Sequence, residues 1–356
     1  MDIKSFRKET SERSEHQNWV LEELSGSSVL YFTGFEGCNE NSSFQATAIL
    51  DRSLIDVSGS IDDPPPIEQV IALIESNEGR ALQGKINFCS HLGFPYTYVL
   101  YNYEHHFVLR YELTDKIPVL REKYISFETF SQWIQSIKQW ESYKWFRENP
   151  DLPVFDKALR EAGCAWPTNI DCVAFNNDHQ PVALIEFQNA KKTGVRNHSN
   201  IYYFLPVKGY YGGFKKGPDE QRWRSQEILR VQSGLPHLTI VWSQEEDFVI
   251  VKRLEKVVFP DYSDEKKSQT YVQALAMMNI AIQGKQKDVI NQCLQSIGNK
   301  YSSYYLSNVD GKVSIVPVNP PLSFTERTFP FIYGHRYPEM IKGDVKSEIE
   351  KLLIEH

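Results

Sequence analysis

Two apolar runs, residues 170–175 and 181–187, flank the polar sequence Asn176-Asn177-Asp178-His179-Gln180, and no other stretch constrains this chain as much. Runs this short, bounded by turn-forming residues, are too brief for helices and predict a β-hairpin. Asp171, Glu186 and Gln188 are out of place in such strands. An ionised carboxylate is seldom buried without a partner or a metal. Pairing Phe175 with Pro181 sets Asp171 opposite Ile185, and a slip of one position brings it beside Glu186. Glu186 and Gln188 are two apart and share a strand face. With the Phe187 carbonyl between them, two converging carboxylates make an all-oxygen site suited to Mg²⁺, with Mn²⁺ as a substitute.

An Asp on one strand of a hairpin and Glu-x-Lys on the next resembles the PD-(D/E)XK nuclease superfamily. Here the Asp is Asp171, with Pro167 further upstream than the usual immediate neighbour. The second half reads Glu186-Phe187-Gln188, with Gln where Lys is commonest, a form similar to that of some type II restriction endonucleases. The resemblance implies that Asp171, Glu186 and Gln188 are catalytic, and that Asp171, Glu186 and the Phe187 carbonyl hold the metal. It also implies an acid from the helix before the hairpin, Glu161 or Asp156. A Lys in third position can orient or deprotonate water, whereas an amide only positions it by hydrogen bonds. Lys191 or Lys192 is placed to supply the missing charge.

The net charge of −7 argues against a nucleic-acid partner until its distribution is considered. Between 190 and 224 stand eight Lys/Arg and two acids, a local +6, leaving −13 for the rest. A basic stretch just after the hairpin predicts a local DNA-binding surface. Its candidates are Lys191, Lys192, Arg196, Lys215, Lys216, Arg222 and Gln226, the last two sharing a helix flank at i, i+4 spacing. The interleaved Tyr, Phe and Gly residues suit a loop closing on a sugar–phosphate backbone.

The 356 residues are 41% hydrophobic and 24% charged, ordinary for a globular protein with more than one core. No apolar run reaches the roughly 18 residues of a membrane span, and the polar first residues do not read as a secretory leader. Five scattered cysteines without a C-x-x-C pair argue against a disulfide framework or structural zinc and predict a reducing cytoplasmic setting. Adjacent His105 and His106 point to opposite strand faces and make no metal pair. Motifs for NTP hydrolysis, serine hydrolases and zinc proteases are absent.

The expected fold class is α/β (α+β): a restriction-endonuclease-like αβββαβ core with an additional N-terminal α/β domain. Its boundaries are 1–148 for the N-terminal domain, 149–262 for the core and 263–356 for a C-terminal extension. In the first domain a polar lead-in helix (1–23) precedes strands at 29–35 and 44–50 with a turn at 37–43. A helix at 67–82 and further strands at 87–93, 96–103 and 106–113 follow, then a helix at 127–146. The core expects a helix ending at Gly163, the hairpin, a third strand at 201–207, a helix over 219–233 closed by Gly234, and strands at 237–243 and 248–254. The extension expects a helical stretch at 271–297, a strand pair around 310–311, a Pro/aromatic loop at 320–337 and a last short helix. The resemblance implies a Mg²⁺-dependent DNA endonuclease, acting as a homodimer in restriction or phage defence. The alternatives are a non-catalytic nucleic-acid-binding protein that keeps the fold, and a structure-selective repair or RNA nuclease.

Overall fold

The computed structural model describes residues 5–6, 22–24, 29–40, 45–55, 61–138, 153–191, 194–196, 198, 207–208, 214–215, 220–257, 277, 281, 284, 286–296, 304–309, 312–317 and 332–354. The protein is mixed α/β and divides into two compact units: 1–184 with 228–235 and 350–356, and 185–227 with 236–349. The division cuts through one strand and two helices. The expected boundary at 148–149 lies outside the described residues.

The first unit is built on β1 (Ser5–Phe6), β2 (Leu30–Glu40), β3 (Ala46–Ile55), β4 (Tyr96–Asn102), β5 (Phe107–Leu113), β6 (Val119–Tyr124) and β7 (Thr168–Asn176). The sheet order is β7-β2-β3-β4-β5-β6, with β1 on β3. In this sheet β3 and β4 run parallel, and β1–β3, β2–β3, β2–β7, β4–β5 and β5–β6 pair antiparallel. Helices α1 (Ile67–Glu78) and α2 (Ala81–His91) pack on one face, α3 (Phe127–Lys138) and α4 (Val154–Glu161) on the other. Strand β4 shows why. Tyr96, Tyr98 and Leu100 enter the core beneath α1 and α2, while Val99 and Tyr101 enter the core beneath α3 and α4. A strand covered on both faces reads as a continuous apolar run, as YTYVLYN nearly does.

Several expectations change here. Residues 87–93 are not a strand: 87–91 complete α2, whose buried face is Leu82, Ile86, Phe88 and Cys89. The single helix expected at 67–82 is two, separated by Gly79 at φ +51, a left-handed conformation that ends α1 and that glycine adopts without strain. Residues 37–40 are strand, not turn, because Cys38, Asn39 and Glu40 pair with β3. Within the polar lead-in, Ser5 and Phe6 pair with β3, and only 22–24 are helical among its described residues.

The chain then turns through the hairpin. The Asn176 N–H donates to the Gln180 carbonyl, and the Asn176 side chain accepts from the N–H groups of Asp178 and Gln180. Strand β8 (Pro181–Asn189) follows, both arms falling where the apolar runs put them. Beyond it, β9 (Val207–Lys208) and β10 (Phe214–Lys215) form a two-stranded sheet of their own. Of the third strand expected at 201–207, only Val207 is described. Helix α5 (Glu220–Ser233) ends against Gly234 at φ +67.

The second unit orders β8, β11 (His237–Trp242), β12 (Phe248–Val257) and β15 (Ile332–Arg336) side by side, with β16 (Met340–Ile341) also on β12. The Ala190 N–H, just past β8, donates to the Trp242 carbonyl at the end of β11. The carboxyl ends of β8 and β11 therefore meet, so the two strands run parallel and α5 lies in the crossover between them. The remaining elements are α6 (Lys287–Ser296), the hairpin of β13 (Tyr304–Val309) and β14 (Lys312–Pro317), and α7 (Val345–Ile354). Part of the expected Pro/aromatic loop is strand, since 332–336 pair with β12.

Candidate functional site

Asp171 lies in the first unit, at an irregularity. Strands β2 and β7 pair Thr33 with Val173 and next Phe35 with Ile170. One residue of β2, Gly34, thus faces two of β7, Asp171 and Cys172. The missing side chain makes this β-bulge possible. A Cβ at Gly34 would stand 2.4 Å from the Asp171 carbonyl oxygen and 2.9 Å from that of Ile170. Bulges re-aim a side chain and recur beside active sites. The Asp171 carboxylate is half-buried and accepts from the Asn169 amide at 3.2 Å. Cys172 is fully buried. Burial, and then the charge of Asp171, raise its thiol far above the usual range, so it packs and does not react.

Glu186 lies in the second unit and is only 3% exposed. Gln188, two residues on, shares its face of β8 and is half-buried. The Oε1 of Glu186 is in ion-pair contact with Nη2 of Arg222, which lies in the first turn of α5. That oxygen is buried. Gln188 Oε1 and Gln226 Oε1 are also buried without a hydrogen-bond partner. Gln226 sits one turn along α5 from Arg222, on the same flank. The crossover explains the encounter, because it returns the start of α5 to the carboxyl end of β8. Clefts outside the carboxyl ends of parallel strands are where α/β sheets bind ligands.

A buried carboxylate oxygen held by an arginine, and buried amide oxygens without a hydrogen-bond partner, are of the kind a hard divalent cation takes. These side chains fit Mg²⁺ in kind. No group of three or more His, Cys, Asp or Glu among the described residues could hold a metal. The oxygens at hand are instead one carboxylate and two amides.

The other candidates have varied fates. Asp156 is buried and bound to Arg52 Nη1 at 2.5 Å, while Arg52 Nε meets Glu36 at 3.0 Å and its guanidinium lies 4.2 Å over Trp166. It is thereby committed to the first unit's core. Glu161 is exposed on α4. Lys191 is exposed. Arg196 is exposed and holds Glu339 through two contacts, at 2.7 and 3.0 Å. Lys192 and Lys216 lie outside the described residues, and of Lys215 only the backbone strand is described. The encounter of Arg222 with Glu186 was missed in the sequence. The one available pointer was the polar flank of α5, where Arg222 and Gln226 stand one turn apart.

Comparison with models of protein families, with curated proteins and with solved structures returns no match.

Proposed function

We propose that this protein is a metal-dependent phosphodiester hydrolase, an endonuclease acting on DNA. The observation that carries this reading is Glu186: a buried carboxylate in the carboxyl half of β8, in contact with Arg222 and sharing its strand face with Gln188. Glu186 would hold the ion, with the Phe187 carbonyl and Gln188 beside it on β8. Asp171 is the second carboxylate that the PD-(D/E)XK resemblance supplies. Mg²⁺, or Mn²⁺ in its place, would lower the pKa of a bound water and neutralise charge on the phosphate. Gln188, a neutral amide, would position that water by hydrogen bonds and take no proton. The lysines after the hairpin would hold the sugar–phosphate backbone. A homodimer acting in restriction or phage defence is the setting the resemblance favours.

A second reading rests on Gln188 itself. With an amide where the family most often has Lys, the protein would bind metal and nucleic acid without cutting. Supercoiled and linear DNA incubated with Mg²⁺ or Mn²⁺, wild type beside Glu186→Ala, separates the two. Metal-dependent cutting lost in the variant is the expected result. Binding without cutting by wild type, on duplex, branched and single-stranded DNA and on RNA, selects the second reading. Cutting that survives in Glu186→Ala rejects the site.

A further inference from the structure

The charge that Gln188 lacks has a source on another element than Lys191, the lysine described just after β8. Lys191 is exposed, whereas the cation in contact with Glu186 is Arg222. The two sides of that pair differ. The Glu186 side chain is 4% exposed and the Arg222 side chain 36%, so the guanidinium reaches a buried carboxylate from a position open to water. Arg222 cannot serve as the base, because a guanidinium stays protonated at any working pH. What its planar fork does well is grip a carboxylate or a phosphate, whose oxygens it meets in the same geometry.

A divalent cation on Glu186 carries the same sign as the guanidinium and requires the same oxygen. The two cannot both hold Oε1. We propose that Arg222 is an exchangeable counter-ion of Glu186. It keeps the buried carboxylate paired and oriented while no metal is present. When metal binds, it is released and takes a non-bridging oxygen of the phosphodiester. In this arrangement α5 delivers, from across the crossover, the positive charge that Glu-x-Lys would carry on β8. The inference rests on the metal-dependent reading above and adds the residue that contacts the phosphate. It explains why a neutral third residue is compatible with hydrolysis: stabilising charge on the phosphate needs a fixed cation, whichever element carries it.

The test uses the full chain and two separate readouts. Free Mn²⁺ is measured by electron paramagnetic resonance during titration of wild type, Arg222→Gln, Arg222→Lys, Glu186→Gln and Arg230→Gln. Strand cleavage is then timed at saturating Mn²⁺. Removing the competing cation should tighten Mn²⁺ binding in Arg222→Gln by about threefold to tenfold, a coupling typical of a nearby charge pair. Cleavage in the same variant should fall about a hundredfold or more, the usual loss when a charge-stabilising donor is removed. Arg222→Lys should keep most of the metal affinity of wild type and recover part of the rate. Arg230→Gln, which removes the same charge from the last turn of α5, should leave both readouts unchanged. Thermal melting of each variant establishes that it is folded. Opposite shifts in affinity and rate are something a merely structural arginine would not produce. If Arg222→Gln binds Mn²⁺ no tighter than wild type, or cuts as fast at saturation, the exchange is wrong and the metal-dependent reading stands. If neither wild type nor Arg222→Gln binds Mn²⁺, the metal-dependent reading fails and the exchange fails with it.

Discussion

Gly34 shows how one missing methyl shapes the strand that carries Asp171. Its absent Cβ lets two carbonyl groups of β7 approach β2 closer than any side chain permits. The obstacle in Gly34→Ala is backbone, so no rotamer change relieves it. The strand must shift or the bulge must close. We expect a loss of about 1–3 kcal/mol in urea unfolding, the usual cost of overpacking. A variant as stable as wild type would mean that the bulge does not depend on Gly34. His198 gives a prediction of another kind. Its Nδ1 is buried without a hydrogen-bond partner, and Lys252 Nζ donates to its carbonyl at 3.1 Å. Burial first, then the charges of Lys252 and Arg336, push its pKa well below 6.5. A depressed folded-state pKa means that the unfolded chain takes the proton first. The stability due to neutral His198 is therefore complete above about pH 6.5 and is lost progressively as the pH falls below it. His198→Gln should flatten this acid limb of the stability profile, followed by thermal melting from pH 7.5 to pH 5; an unchanged slope would assign the limb to other groups.

At the scale of elements, the first unit carries an ionic knot that its strand and helix patterns do not announce. Lys85 of α2 reaches Asp51 of β3 and Glu78 of α1, both at 2.6 Å, and Tyr96 of β4 donates to the same Asp51 at 2.7 Å. All four residues are buried. Burial opposes the charge on Lys85, yet the two carboxylates outweigh it and raise its pKa above the usual lysine value. Lys85→Met preserves the volume and strands two buried carboxylates, so it should lose about 3–5 kcal/mol in chemical denaturation. Adding Asp51→Asn and Glu78→Gln should recover part of that loss, because the cost lies in unpaired charge; no recovery would locate it in packing. This knot also marks where the sequence could be read and where it could not. Short apolar runs with clear turns, 170–175 and 181–187, were legible as strands, as was the helix stop at Gly163. Residues 87–91 were not, because Phe88 and Cys89 suit a strand as well as the buried face of a helix, and periodicity over five residues does not separate the two. The spacing of Asp171, Glu186 and Gln188 could be read from one hairpin. The contact from Arg222 depends on a crossover that local pattern does not encode.

For the whole molecule, the proposed function raises the question of how an acidic protein would hold a polyanion. Its net charge of −7 repels nucleic acid at long range, so binding must come from the +6 of residues 190–224. Not all of that charge is available. Arg196 is held by Glu339 and Arg222 by Glu186, and Arg224 is 6% exposed. What remains of the eight cations is five lysines: 191, 192, 208, 215 and 216. If duplex DNA meets these and little else, the slope of log K against log salt is bounded by them. At about 0.9 per neutralised phosphate it should be no steeper than about −4 to −5. The pair Lys215→Gln, Lys216→Gln should reduce its magnitude by about 2 at any DNA sequence, since phosphate contacts carry no sequence information. Fluorescence anisotropy from 50 to 200 mM salt, with EDTA present to prevent cutting, measures both numbers. A slope much steeper than −5 would require a second basic surface elsewhere on the chain. A slope near zero would mean that nucleic acid is not what this stretch binds. Metal enters this balance as well. Released from Glu186, Arg222 becomes a sixth cation, so replacing EDTA with Ca²⁺, an ion that commonly supports binding without hydrolysis at Mg²⁺ sites, should steepen the slope by about 1 in wild type and leave it unchanged in Arg222→Gln.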